Sequence, residues 1–308
     1  MNKTILLSIS ISLFLCSCGS MKNMATNPQA FKYNYCTPTI PYLSSSGFFE
    51  EKNPTDLSFT TVSLNKHDQL LCHLLGISAD LNELLLLKKD GPTINNSYLR
   101  LKQKISSRIA LAQSQLTAVA AELDCEGERS DMAADYLDGL NSKRNRQLTV
   151  GSVIVGALTT VAGAVTKNNT QTIIGISGGL VSAGLGAMTI NPKGKKVEFY
   201  HEHNLLRAIW REGEKNSDYP DFVWKMLNEK EFSTNGNVTL IKSIKSRWLQ
   251  FEFNGGVDVD EEKLLFGNGG FYRSEDLHTR SAMINQLQST IRSIHQDFIS
   301  LMSLVDSI

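Results

Sequence analysis

The side chains able to do chemistry in this chain are few, and most are awkwardly spaced. His201-Glu202-His203 offers two imidazoles, but residues two apart on a helix point to different faces. The HExxH spacing of a zinc protease is missing, so the pair reads as ordinary surface histidines. Asp258, Asp260 and Glu262 alternate as a calcium loop begins, yet the glycine and closing glutamate of an EF-hand do not follow. Gly267-Asn268-Gly269-Gly270 lacks the Lys-Ser/Thr of a phosphate-binding loop and reads as a turn. Cys125 lies between Asp124 and Glu126, whose charge raises a thiol's pKa and blunts it as a nucleophile. Trp210, Trp224 and Trp248 occupy helical positions and read as core. No catalytic constellation, metal site or cofactor site is expected, and the chain does not read as an enzyme.

Cys18 is placed for a different reaction. The chain opens with Lys3 and an apolar run from Ile5 to Leu15, as long as a signal peptide's core and too short for a stable span. The run ends in Leu15-Cys16-Ser17-Cys18. This resembles the lipobox of bacterial lipoproteins: an aliphatic residue, two small ones, then the modified cysteine. The resemblance implies that residues 1–17 are a signal peptide and that the Cys18 thiol takes a diacylglycerol. The new amino end would then be acylated, as with palmitate. Two or more acyl chains anchor stably where one holds marginally. Gly19, where inner-membrane lipoproteins often carry Asp, implies the outer membrane, facing the periplasm or the surface. Cys36, Cys72 and Cys125 remain, an odd number in an oxidising compartment. One disulfide plus a thiol and three thiols both stay open.

The elements that would position these residues read as mainly α. Residues 18–60 are rich in Ser, Asn, Thr and Pro and read as a lipid-anchored tether. Across 61–146 the spacing predicts a helical hairpin and a third helix. Leu70, Leu74, Ile77, Leu81 and Leu84 step by 3 and 4 along one seam, and "KDGPTINNS" breaks the chain. Tyr98, Leu101, Ile105, Ile109, Ala112, Leu116, Val119 and Leu123 form the return helix. A third helix is expected over about 129–146. An even hairpin sets Cys72 far from Cys125.

Residues 191–273 read as a small mixed α/β or loop-rich region. Helices are predicted over "EFYHEHNLLRAIWREG" and "YPDFVWKMLNEK". "NVTLIKSIKSRWLQFEF" is ambiguous between helix and strand, and "FNGGVDVDEEKLLFGNGGFY" is a turn-rich stretch with room for a hairpin. Over 274–308, Ile284, Leu287, Ile291, Ile294, Phe298, Leu301 and Val305 predict one helix packed on the bundle. Each fully buried aliphatic contributes about 1.5–3 kcal/mol, so such a seam belongs in a core.

Residues 147–190 form a central, glycine-rich apolar hairpin. Gln147 to Thr166 holds no charge, Thr172 to Ile190 is nearly as long, and "KNNTQ" turns between them. Each segment, as a helix, reaches about 30 Å, the thickness of a hydrocarbon core. Small residues fall in rows. Gly175, Gly179, Ala183 and Ala187 make one, and Gly178, Ser182 and Gly186 make a second. Ser152, Gly156, Thr160 and Ala164 make another, with Gly163 beside it. Such rows let helix backbones approach closely. Glycine costs a helix in water about 1 kcal/mol, so this density needs tight packing or an apolar medium. The arrangement resembles the glycine-zipper hairpins of bacterial envelope proteins. Basic residues flank it, in "KRNR" at 143–146 and "KGKK" at 193–196.

Lys+Arg and Asp+Glu each number 31, so no overall basic field invites nucleic acid. The expectation is a lipid-anchored envelope protein, structural or interactional. Its partners would be membrane lipid and either copies of itself or an envelope protein. The alternative is an α-helical pore-forming or membrane-perturbing protein.

Overall fold

In the computed structural model of the chain, the stretch expected to hold two helices and the first arm of the glycine hairpin is one helix. It runs over Asn96–Val165, 70 residues, or about 105 Å at 1.5 Å per residue. The expected boundaries near 124–128 and 146 are therefore corrected. Leu123, Glu126, Ser130, Ala133 and Leu137 continue the 3-and-4 spacing of the return helix, and all are buried. The apolar seam is interrupted in composition and uninterrupted in geometry. The described residues are 28–40, 42, 64–89, 96–165, 169–190, 194–212, 218–234 and 236–308.

In chain order the elements are α1 (Lys66–Leu75), α2 (Ser78–Lys89), α3 (Asn96–Val165), α4 (Asn169–Ile190), β1 (Val197–Tyr200), α5 (Leu205–Arg211) and α6 (Asp221–Asn228). They continue with α7 (Leu240–Phe251), α8 (Val259–Phe266), β2 (Gly269–Tyr272), α9 (Ser274–Ser293) and α10 (Phe298–Ser307). The fold is mainly α, with a two-stranded antiparallel sheet.

Two expected helices are each divided. Gly76 takes the left-handed conformation, φ 63°, and its N–H caps Cys72 and His73, so α1 ends there and α2 leaves at 115°. Leu74, Ile77, Leu81 and Leu84 still reach the core. At the C-terminus, a tight turn of 3-10 helix over Ile294–Asp297 separates α9 from α10. All seven seam residues expected from Ile284 to Val305 are buried. α9 lies along the middle of α3, and α1, α2, α6, α7 and α10 complete the body around that pair.

The region before α5 is strand where a helix was expected. Val197 and Phe199 are buried and alternate with half-buried Glu198 and Tyr200, the period of a sheet. β1 pairs with β2 in register Val197↔Tyr272 to Tyr200↔Gly269, so the partner of "GGFY" lies some seventy residues earlier, not in a local hairpin. The ambiguous segment is helix α7. The tether is corrected in part. Residues 28–32 form a 3-10 turn, Phe31 is buried, and Cys36 is bonded to Cys125. Cys72 is buried in the core, outside that disulfide. Cys16, Cys18 and residues 43–60 lie outside the described residues.

Candidate functional site: an apolar helical hairpin on an ionic base

The last turns of α3 and all of α4 pack side by side, and α4 has no comparable contact with any other element. The interface is built from the small residues. The Ser182 Oγ donates to the Ser152 carbonyl across the hairpin at 2.9 Å. A Cβ on Gly156 would sit 3.5 Å from that Oγ. A Cβ on Gly178 would fall 1.7 Å from Thr159 Cγ2, so only glycine fits there.

Of the two rows on α4, the one through Gly178 and Ser182 faces α3. In the other row, Gly179 has nothing within 4 Å of a built Cβ, and Ala183 and Ala187 are exposed; Gly186, at the far end of the facing row, also has open space. Gly156, Thr160, Gly179, Ser182 and Ala183 border a shallow open groove along the hairpin. For Gly163 and Gly175 only the backbone is described.

The large apolar residues point the other way. Val150, Val153, Ile154, Leu158 and Val161 on α3, with Leu180, Val181 and Met188 on α4, are 51–70% exposed. An ordinary helix pair in water buries such side chains; this pair leaves them exposed and packs a row of small ones between its arms. Its hydroxyls are spent on backbone carbonyls. Thr149, Ser152, Thr159, Thr160 and Thr189 each donate to a backbone carbonyl three or four residues back, and Ser182 donates across the pair. Among the described residues, no single helix is long and apolar enough to cross a membrane. α1 and α2 meet that measure only as a pair, but they are sharply bent and pack in the body.

The base of the hairpin is held by Asn141, whose Oδ1 accepts the Lys195 N–H at 3.0 Å. This brings the two basic flanks to one level. Lys143, Arg144 and Arg146 stand on α3, and Lys195 and Lys196 on the returning chain.

Deeper in the body, the residues first considered for chemistry take structural roles. His201 and His203 are corrected from surface positions. His201 is fully buried, with Nε2 2.6 Å from the Tyr272 hydroxyl. That hydroxyl donates to the Leu264 carbonyl, so the imidazole proton sits on Nε2. Burial, with the charges of Arg280 and Arg129, holds His201 well below its ordinary pKa. Burial also pulls His203 down, but Glu122 outweighs it from 2.5 Å and raises the net value.

The sequence reading missed the buried ionic group beneath them. Glu126 Oε2 accepts from Arg129 at 3.1 Å and from Arg280 at 3.4 Å. Arg129 also donates to the carbonyls of Phe31, Tyr33 and Tyr200 and stacks over Phe199. One guanidinium thus joins α3, the N-terminal strap of residues 28–40 and β1. The signal was spacing: Glu126 and Arg280 sit at seam positions, where only a paired charge is tolerated.

The remaining motifs resolve similarly. Asp258 caps α8 by accepting the Asp260 N–H, and Glu262 accepts from Trp210 Nε1 at 2.7 Å. The Gly267 carbonyl accepts from Asn204 and Arg207, and Gly269 begins β2. Trp210 and Trp248 are buried, and Trp224 packs partly buried against the core. Cys125, read as a poor nucleophile, is in the disulfide. Asp135, Asp138 and His278 approach one another on the surface. Asp138 already hydrogen-bonds to His278 and Ser274, tying α3 to α9.

No protein-family model, no curated protein and no solved structure matches this chain.

Proposed function

We propose that this is a lipid-anchored envelope protein whose helical body holds out the α3–α4 hairpin to associate with a membrane or a protein partner. The role is structural or interactional. One observation carries the reading: the hairpin packs one row of small residues between its arms and turns eight large apolar side chains outward. Finishing the burial of each is worth on the order of 1 kcal/mol, so an apolar partner for that face gains several. The Cys18 pattern supplies the anchor. The Cys36–Cys125 disulfide supports an oxidising compartment, where such bonds persist. The pore-forming alternative calls for a hairpin sheathed until release. Here the apolar face is already exposed, which favours docking.

The test is fractionation of the full chain expressed in a bacterial envelope. Cys18→Ala is expected to lose an incorporated acyl label. Leu158→Asp combined with Leu180→Asp, still held at the membrane by the anchor, is expected to lose crosslinking of the hairpin to lipid or to a protein partner while the body stays folded. Retained label in the first variant overturns the anchor. Unchanged crosslinking in the second overturns the hairpin's role.

A further inference from the structure

We infer that the hairpin's partner is an anionic lipid surface, and that the basic collar at its base sets how deeply it seats. This rests on the docking role proposed above and names the partner.

Three observations point the same way. First, the outward faces of both arms are apolar, so the surface to be covered lies on opposite sides of a two-helix pair. A single protein groove covers one side, whereas lipid surrounds both. Second, the hydroxyls of Thr149, Ser152, Thr159, Thr160, Ser182 and Thr189 bond to backbone carbonyls. The hairpin can therefore leave water without stranding these donors. Third, the charge changes abruptly at one level. Between Asp138 and Glu198 the chain has no acidic residue. The Asn141–Lys195 contact sets Lys143, Arg144, Lys195 and Lys196 around the point where the hairpin leaves the body. An apolar finger rising from a cationic ring matches the layering of a bilayer, acyl chains beneath anionic head groups.

The test reconstitutes the full acylated chain in two kinds of vesicle: phosphatidylcholine alone, and phosphatidylcholine mixed with phosphatidylglycerol. Leu158→Trp reports insertion through quenching by brominated lipid, with the parent chain as background. Because the anchor holds the chain to both vesicles, the readout is seating rather than attachment.

Quenching is expected in mixed vesicles and to fall when salt is raised. It is also expected to fall, by roughly tenfold or more, in Lys143→Gln/Lys195→Gln/Lys196→Gln. Equal quenching in both vesicles, indifferent to salt and to the collar substitutions, overturns the inference and leaves the hairpin in lipid. No quenching in either, with copies of the chain crosslinked through the hairpin, overturns it in favour of a protein partner. No quenching and no crosslink removes the docking role as well.

Discussion

Gly178 and Gly179 are neighbours in sequence with opposite duties. A methyl group at Gly178 overlaps Thr159, whereas one at Gly179 meets nothing within 4 Å. Gly178→Ala is therefore expected to part the arms and speed amide exchange across 177–189, and Gly179→Ala to leave exchange unchanged. Sequence alone marked both rows as small, but smallness does not say which row faces the partner. That phase is set by the Ser182–Ser152 hydrogen bond.

Two histidines carry opposite pH signatures. His201, neutral in the fold, is surrounded by residues that oppose its charge. In an unfolded chain it takes a proton near pH 6.5. Its contribution is full above about pH 6.5 and is lost as pH falls below that. His67 is raised by its hydrogen bond to Asp297, at 3.1 Å, against the effect of burial. Its contribution is present below about pH 6.5 and fades as pH rises through the raised value. Urea midpoints of His201→Gln and His67→Gln, each compared with wild type across that range, should diverge in opposite directions. Parallel curves would refute the assignment. Neither environment was legible beforehand: His201 is buried beside strands that pair across some seventy residues, and His67 meets Asp297 across 230.

At the scale of elements, most of the helical content follows from 3-and-4 spacing, and the errors lie in where helices begin and end. Starting a third helix at about 129 divided α3, whose buried stripe runs on through Glu126. Here the two arginines share one carboxylate, and the stripe passes through it. Removing one member of a buried ion group typically costs 3–5 kcal/mol, because the others are left unneutralised. Glu126→Gln should therefore lower unfolding stability by about that much, and Arg280→Met by a comparable amount. A loss below about 1 kcal/mol in urea titration would show that the group is dispensable. The break at Gly76 was likewise readable in principle. A glycine followed two residues later by Ser78 has the form of a helix stop and a fresh start. The continuous leucine seam across it concealed the bend.

At the scale of the whole molecule, the disulfide joins the N-terminal strap to the middle of α3 across 89 residues. A loop of that length is expected to contribute about 2–5 kcal/mol. Cys36→Ser with Cys125→Ser should therefore lower stability by that order in denaturant unfolding against the disulfide-bonded wild type, and reducing the wild type should reproduce the loss. Pairing was not legible, since three cysteines allow three bridges and the strap carries no periodic pattern. The mainly α class was legible, and so was the hairpin. The ionic base was not, because its members lie on segments far apart in sequence.

α3 passes from body to hairpin without a joint. Whatever inclination the hairpin adopts is imposed on everything bolted to the other end of the same rod. A helix turns about 100° per residue, so inserting one residue after Arg146 would swing the outward face of the first arm around the axis by that angle. The compass bearing of the body, as well as its height, is thereby written into the residue count of a single helix.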